Sequence, residues 1–208
     1  MSRTVANYID YLYRELDAKV VEKLMSVPPG TIVLRSSVDG DLFKHPHVVL
    51  WHRFLLEYFT PEPKPLALIL PCTSIKPYRL SPTHRIADSR LARLGLEDVV
   101  SIYVISEPMV LVPRELDIYY PFANYDYPPN HLSLESRRIF VDILSRVIRK
   151  LRIHRAIVAV LPQHHRSILL EALERAGEKM AIEIVPYGRK AFNTISRAVD
   201  MLYKLSKL

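Results

Sequence analysis

Pro65-Leu66-Ala67-Leu68-Ile69-Leu70-Pro71-Cys72 is the stretch on which the fold turns. Five consecutive apolar residues between two prolines are too few for a helix and show no polar alternation. They read as a strand buried on both faces, the pattern of a mainly parallel sheet. Downstream, helical and strand patterns alternate. A helix over Thr83–Leu94 precedes a strand at Val99–Ile105, and a helix over Ser133–Leu151 precedes a strand at Ala156–Leu161. His165–Ala176, Ile182–Val185 and Ala191–Leu205 complete the series as helix, strand and helix. Such alternation predicts an α/β three-layer sandwich around a mainly parallel central sheet. Upstream, Val5, Ile9, Leu12, Leu16, Val20 and Leu24 keep helical spacing from Thr4 to Met25, and Val27-Pro-Pro-Gly30 ends it. A short strand at Thr31–Leu34 and a helix from His47 to Phe59 follow, before the stiff connector Thr60-Pro-Glu-Pro-Lys-Pro65. Residues 1–62 therefore read as a helical N-terminal segment packed on the core, and 63–208 as an α/β domain.

With 208 residues, 49% of them hydrophobic, the chain can fill a real core and is not a disordered one. No apolar run nears the ~20 residues that span a bilayer, and the start lacks a signal-peptide layout. A cytoplasmic location and no membrane contact are expected. The single cysteine, Cys72, excludes an internal disulfide and any paired-cysteine zinc knuckle. A net charge of +7 suits a polyanionic partner such as nucleic acid. One Gln and four Asn among so many Tyr, Arg and Glu fit a thermophilic source. Five glycines never fall in a GxGxxG or GxxxxGK pattern, so no dinucleotide or P-loop cofactor site is read, and no other cofactor is called for.

In an open parallel sheet, ligands sit outside the carboxyl ends of the strands. The richest polar segment lies there: Pro71-Cys72-Thr-Ser-Ile-Lys76-Pro77-Tyr78-Arg79-Leu-Ser81-Pro82-Thr83-His84. Its prolines stiffen a loop that would aim Cys72, Lys76, Ser81 and His84 at one pocket, with Thr83 capping the next helix. Lys76 and His84 would both favour a thiolate at Cys72. By itself, a cysteine ending a strand is better explained as a small buried hydrophobe, and sequence spacing does not report distance in space.

The spacing Pro-Cys-x3-Lys-Pro-Tyr-x2-Ser-x2-His, filled by Pro71, Cys72, Lys76, Pro77, Tyr78, Ser81 and His84, resembles the archaeosine synthase alpha family. Pro108, then Val112-Pro113-Arg114-Glu115-Leu116, Pro121 and Tyr125-Asp126 are similar to a second stretch of that family. The resemblance runs from about Pro65 to Arg175. It departs at Met109-Val110, where the family has Gly after Pro108, and at Tyr127-Pro-Pro-Asn-His131, where a Gly-and-Trp segment follows. The likeness implies archaeal transfer-RNA modification: lysine is added to the nitrile of a 7-cyano-7-deazaguanine base, and a radical-SAM partner completes archaeosine. Transfer RNA, free lysine and that partner protein are the implied partners, in a transferase-type reaction. Larger members also carry transglycosylase-like and RNA-binding PUA domains, for which 208 residues leave no room.

If the domain is catalytic, Cys72 would attack the nitrile, His84 would move protons and Asp126 or Glu115 would act as general acid. Lys76 or Ser81 would polarise the nitrile, with Tyr78, Arg114 and Glu115 holding the base. Two other readings stand beside this one: a non-catalytic RNA- or protein-binding module, and a base-processing enzyme of the uracil-DNA-glycosylase type. No metal site is expected. His45-x-His47 with His52, and His164-His165, read as surface or capping residues. The tyrosines of Tyr119–Tyr127 read as a packed loop or a base-stacking surface. Arg137, Arg138, Arg146, Arg149, Arg152 and Arg155 read as a solvated face or as phosphate contacts.

Overall fold

The protein is represented by a computed structural model that describes residues 1–177, 180–188 and 191–207. The apolar run at Leu66 forms β2 (Leu66–Pro71), the centre of a five-stranded sheet. It pairs in parallel with β3 (Val100–Ser106) on one side and β6 (Ala156–Leu161) on the other. Outside them lie β7 (Ile182–Pro186), parallel to β6, and β4 (Val110–Pro113), antiparallel to β3. Leu66, Leu68 and Leu70 pack against α4 (Pro82–Arg93) and α7 (Ala191–Ser206), while Ala67 and Ile69 face the opposite layer. That double burial explains why the strand is apolar at every position.

The opposite layer holds α3 (Pro46–Glu57), α5 (Leu134–Val147) and α6 (Gln163–Ala176). α1 (Arg3–Glu15) joins this core through Tyr8, whose ring lies 5.3 Å from Trp51, 5.1 Å from Phe54 and 5.5 Å from Phe122. The three-layer sandwich expected from the alternating pattern is thus the fold observed. Among the described residues, no helix is long and apolar enough to cross a membrane.

Local expectations shift where polar side chains compete for the backbone. The helix read from Thr4 to Met25 breaks in two. Leu16 is extended, and Asp17 caps α2 (Ala18–Met25) by accepting from the Lys19 amide. Ser81, not Thr83, caps α4, accepting from the His84 amide. The Ser133–Leu151 helix ends at Val147 and tightens into a 3-10 turn over Ile148–Ile153. The Thr31–Leu34 strand shrinks to β1 (Leu34–Arg35), paired in parallel with β5 (Tyr125–Asp126), which the pattern did not reveal.

At the β3–β4 corner Val110 has φ of 67° and is fully buried. A β-branched residue in the left-handed region costs about 1–3 kcal/mol, a cost that burial of its side chain offsets.

Candidate active site

The chain order reverses across β2. The first crossover, through α4, goes to β3, whereas β6 arrives on the other flank. The carboxyl ends of β2, β3 and β6 therefore open onto one crevice, the place where open α/β sheets bind ligands. A cleft of about 390 Å³ lies there. Cys72 follows β2, Glu107 follows β3, and His165 sits in the first turn of α6, after β6. These three side chains come from well-separated points in the sequence and meet at the cleft floor.

His165 Nε2 donates to Glu107 Oε2 at 2.9 Å, and Cys72 Sγ lies 3.8 Å from the same oxygen. Glu107 and His165 are both 1% exposed, while Cys72 is half-buried and open to the cleft. Burial by itself would lower the basicity of His165; its contacts with Cys72 and Glu107 overcome that and raise it to about 10. Burial opposes the charge on Glu107, but His165 holds the carboxyl below its usual range. Both shifts favour an imidazolium–carboxylate pair beside Cys72. Among the described residues Glu107 Oε1 and His165 Nδ1 have no hydrogen-bond partner, which leaves polar capacity unused at the floor. His164 Nε2, at the cleft wall, is 3.8 Å from Glu107 Oε1. The donor atoms of Cys72, Glu107 and His165 lie within 4.8 Å of one another, a set chemically able to hold a zinc-type ion. Their mutual proton sharing also accounts for the arrangement.

Stability should follow this pair. A histidine raised in the folded state contributes stability fully below its unfolded value of about 6.5, and that contribution fades as pH rises toward the folded value. Denaturant titrations between pH 6.5 and 10 should therefore show stability falling as pH rises. The slope should flatten in His165→Gln, and an unchanged slope would show that the pair does not form.

Lys76 reaches back into the cleft. Its ammonium donates to the Thr73 carbonyl and lies 4.9 Å and 4.5 Å from the Tyr78 and Tyr125 ring centres. Burial lowers its proton affinity, against the pull of Cys72, Asp126 and Glu107. Asp126 lines the cleft and is exposed. Tyr78 is fully buried under the loop, its hydroxyl 2.5 Å from that of Tyr125 and 3.2 Å from Ser106 Oγ. Of the tyrosine-rich segment, Tyr120, Phe122 and Tyr125 are buried, and Tyr125 and Tyr127 line the cleft.

Ser81 and His84 do not share this cleft. His84 is fully buried: Arg114 Nη1 donates to its Nδ1 at 2.8 Å, so its Nε2–H donates to the Pro71 carbonyl at 3.0 Å. Burial, then the adjacent guanidinium, hold it down to about 3. It is a neutral strut that fixes the backbone next to Cys72. Ser81 is buried as the α4 cap.

Arg114 also pairs with Asp88 at 2.7 Å and with the fully buried Asp117 at 2.9 Å. Arg114 and Glu115 line a different cavity, of about 320 Å³, with Arg79 and Asp88. The remaining histidines are pinned structurally. His47 Nδ1 lies 2.6 Å from the Tyr120 hydroxyl, and His52 Nε2 lies 2.8 Å from the Pro108 carbonyl. Arg137 of α5 pairs with Glu171, and Arg149 in the 3-10 turn that follows donates to the Ala176 carbonyl.

Sequence reasoning read His165 as a surface or capping residue, whereas it is buried and paired with Glu107, and it passed over Glu107 altogether. The signal was available, since both follow candidate strands at the same carboxyl edge that singled out Cys72.

A family described as a domain of unknown function, DUF5591, matches residues 48–199. The chain is 31% identical over 140 residues to archaeosine synthase subunit alpha of Methanosarcina acetivorans, covering 66% of this chain and 21% of that protein. It is 28% identical over 188 residues to archaeosine synthase subunit alpha of Thermococcus kodakarensis, covering 88% of this chain and 32% of that one. The chain thus spans about a fifth to a third of the length of these curated relatives. Among solved structures, it is similar to the crystal structure of AF0587, a protein of unknown function. The TM-score is 0.50 and the identity 26%, over 74% of this chain and 49% of the other.

Proposed function

The chain belongs to the DUF5591 family, and on that premise we propose that it modifies transfer RNA, adding lysine to the nitrile of a 7-cyano-7-deazaguanine base. The observation that carries this reading is the buried Glu107–His165 ion pair set against Cys72 at the floor of an open cleft. The archaeosine synthase relatives support the substrate class, and the motif loop from Cys72 to His84 supports the position of the nucleophile.

The chemistry runs as a nucleophilic relay. Cys72 Sγ bonds to the nitrile carbon, and the thiol proton passes to the His165 ring as that ring gives up its own. His165 delivers a proton to the nitrile nitrogen, giving a thioimidate. The neutral lysine amine then adds to that carbon, its proton passing through His165 to the former nitrile nitrogen, and Asp126 at the cleft wall accepts a hydrogen bond from the incoming amine. The C–S bond breaks, Cys72 recovers its proton, and an amidine remains on the base. Lys76 adds positive charge beside the developing anion. His165 and Glu107 thus take the proton-moving role that the motif alone would give to His84. Ser81, Tyr78 and Arg114 support the loop from beneath, and Glu115 lies apart from the nitrile. A radical-SAM partner would carry the amidine on to archaeosine.

Transfer RNA bearing the nitrile base, incubated with the protein and free lysine, should yield a base heavier by one added lysine in a mass assay. Cys72→Ala should abolish that gain and keep RNA binding. No mass change with folded protein and retained RNA would overturn the enzymatic reading in favour of a binding module.

A further inference from the structure

α4 presents Pro82, Arg85, Ile86, Ser89, Arg90 and Arg93 at helical spacing along one stripe. Against it, α7 contributes Phe192 and Ser196, and the two helices enclose a groove of about 510 Å³. Arg90 is held by Asp200, at 2.8 Å from Nε. Arg85 and Arg93 are exposed and make no ion pair among the described residues. Phe192 is 51% exposed at the head of α7, an aromatic face with solvent on one side. Arginines flanking an open aromatic ring are what a single-stranded polynucleotide needs, phosphates on the guanidinium groups and a base on the ring.

The groove also starts where the candidate active site ends. Tyr187, which lines the Cys72 cleft, lies against Thr83, and Thr83 adjoins Pro82 at the groove's head. Arg85 and Arg93 are eight residues apart on the helix, about 12 Å along its axis.

We propose that the α4–α7 seam binds the RNA strand flanking the base delivered to Cys72, with Arg85 and Arg93 on its phosphates and Phe192 stacked on a neighbouring base. This rests on the RNA-modifying reading and extends it with a binding track.

The test is fluorescence anisotropy with labelled transfer RNA over a salt series, on the full chain. Arg85→Glu/Arg93→Glu should weaken binding at least tenfold and reduce the slope of log affinity against log salt by about 1.4–1.8. Phe192→Ala should weaken it by about fivefold to a hundredfold with the slope unchanged. Lys19→Glu/Lys23→Glu, an equal charge change on α2, should lose far less, and thermal melts confirm that each variant folds. Should the seam variants bind like the wild type, or the α2 variant lose as much as they do, the track is overturned while the lysine-addition assay still stands by itself. Should the seam variants lose RNA while the nitrile base never changes mass, the track stands and the chemistry falls. A wild-type chain that retains no RNA even at low salt overturns the track and points to an acidic protein on this face.

Discussion

His165→Gln is expected to slow lysine addition by about 10²–10⁴-fold, the range lost with a general acid–base group. His84→Gln should leave the chemical step close to the wild type. The contrast follows from what each ring can do. His165 is paired with Glu107 at 2.9 Å beside the Cys72 thiol and is held protonated, so it can give and recover a proton at the cleft floor. Glutamine there still donates to Glu107 but cannot carry that proton. His84 is sealed behind Pro71, with both nitrogens committed and no path to the cleft. Glutamine at that position can still donate to the Pro71 carbonyl, so its main effect should be on stability. Single-turnover mass analysis of the base, together with the rate of Cys72 alkylation, separates the two. A large loss in His84→Gln with near-normal His165→Gln would return the proton-moving role to the motif histidine.

Asp117→Ala should be the most damaging change away from the cleft. Its carboxylate is fully buried, with Arg114 Nε at 2.9 Å, Arg79 Nε at 2.7 Å and the Arg79 amide at 3.0 Å. Removing one partner of such a group leaves a buried guanidinium undercompensated, at about 3–5 kcal/mol. Asp88 still faces Arg114, so the lower end applies. At about 2–4 °C per kcal/mol for a domain of this size, the melting temperature should fall by about 6–12 °C. A shift of 2 °C or less would show that the network contributes little. Because Arg114 also holds His84, which holds Pro71, alkylation of Cys72 in this variant reports whether the network also sets the thiol's position.

How far the sequence could be read depended on how local each cause was. β2 was legible because a strand buried on both faces must be apolar throughout, and Leu66–Leu70 satisfies that with no outside help. α4, α5 and α6 were legible from periodicity, since each buries one face. The break at Asp17 and the cap at Ser81 were misplaced because side chains compete for backbone donors within a residue or two, below what periodicity resolves. β5 escaped because its partner β1 lies far upstream and sets the pairing, and β4 because a four-residue strand folded straight back on β3 is too short to show a pattern of its own.

The sequence by itself determined the layered α/β fold, the placement of Cys72 at a strand's carboxyl end, and the proline-stiffened loop that follows it. Only the tertiary structure decided which groups share the thiol's space. Glu107 and His165 stand 35 and 93 positions from Cys72, yet parallel pairing aligns the ends of β2, β3 and β6 and puts all three at one crevice. His84, only 12 positions from Cys72, lies one helical turn into α4, so its ring passes beneath Pro71 into the core. Proximity along the chain fixes reach, but the sheet's register and each helix's rotation fix direction, and both are set by burial summed over the whole domain.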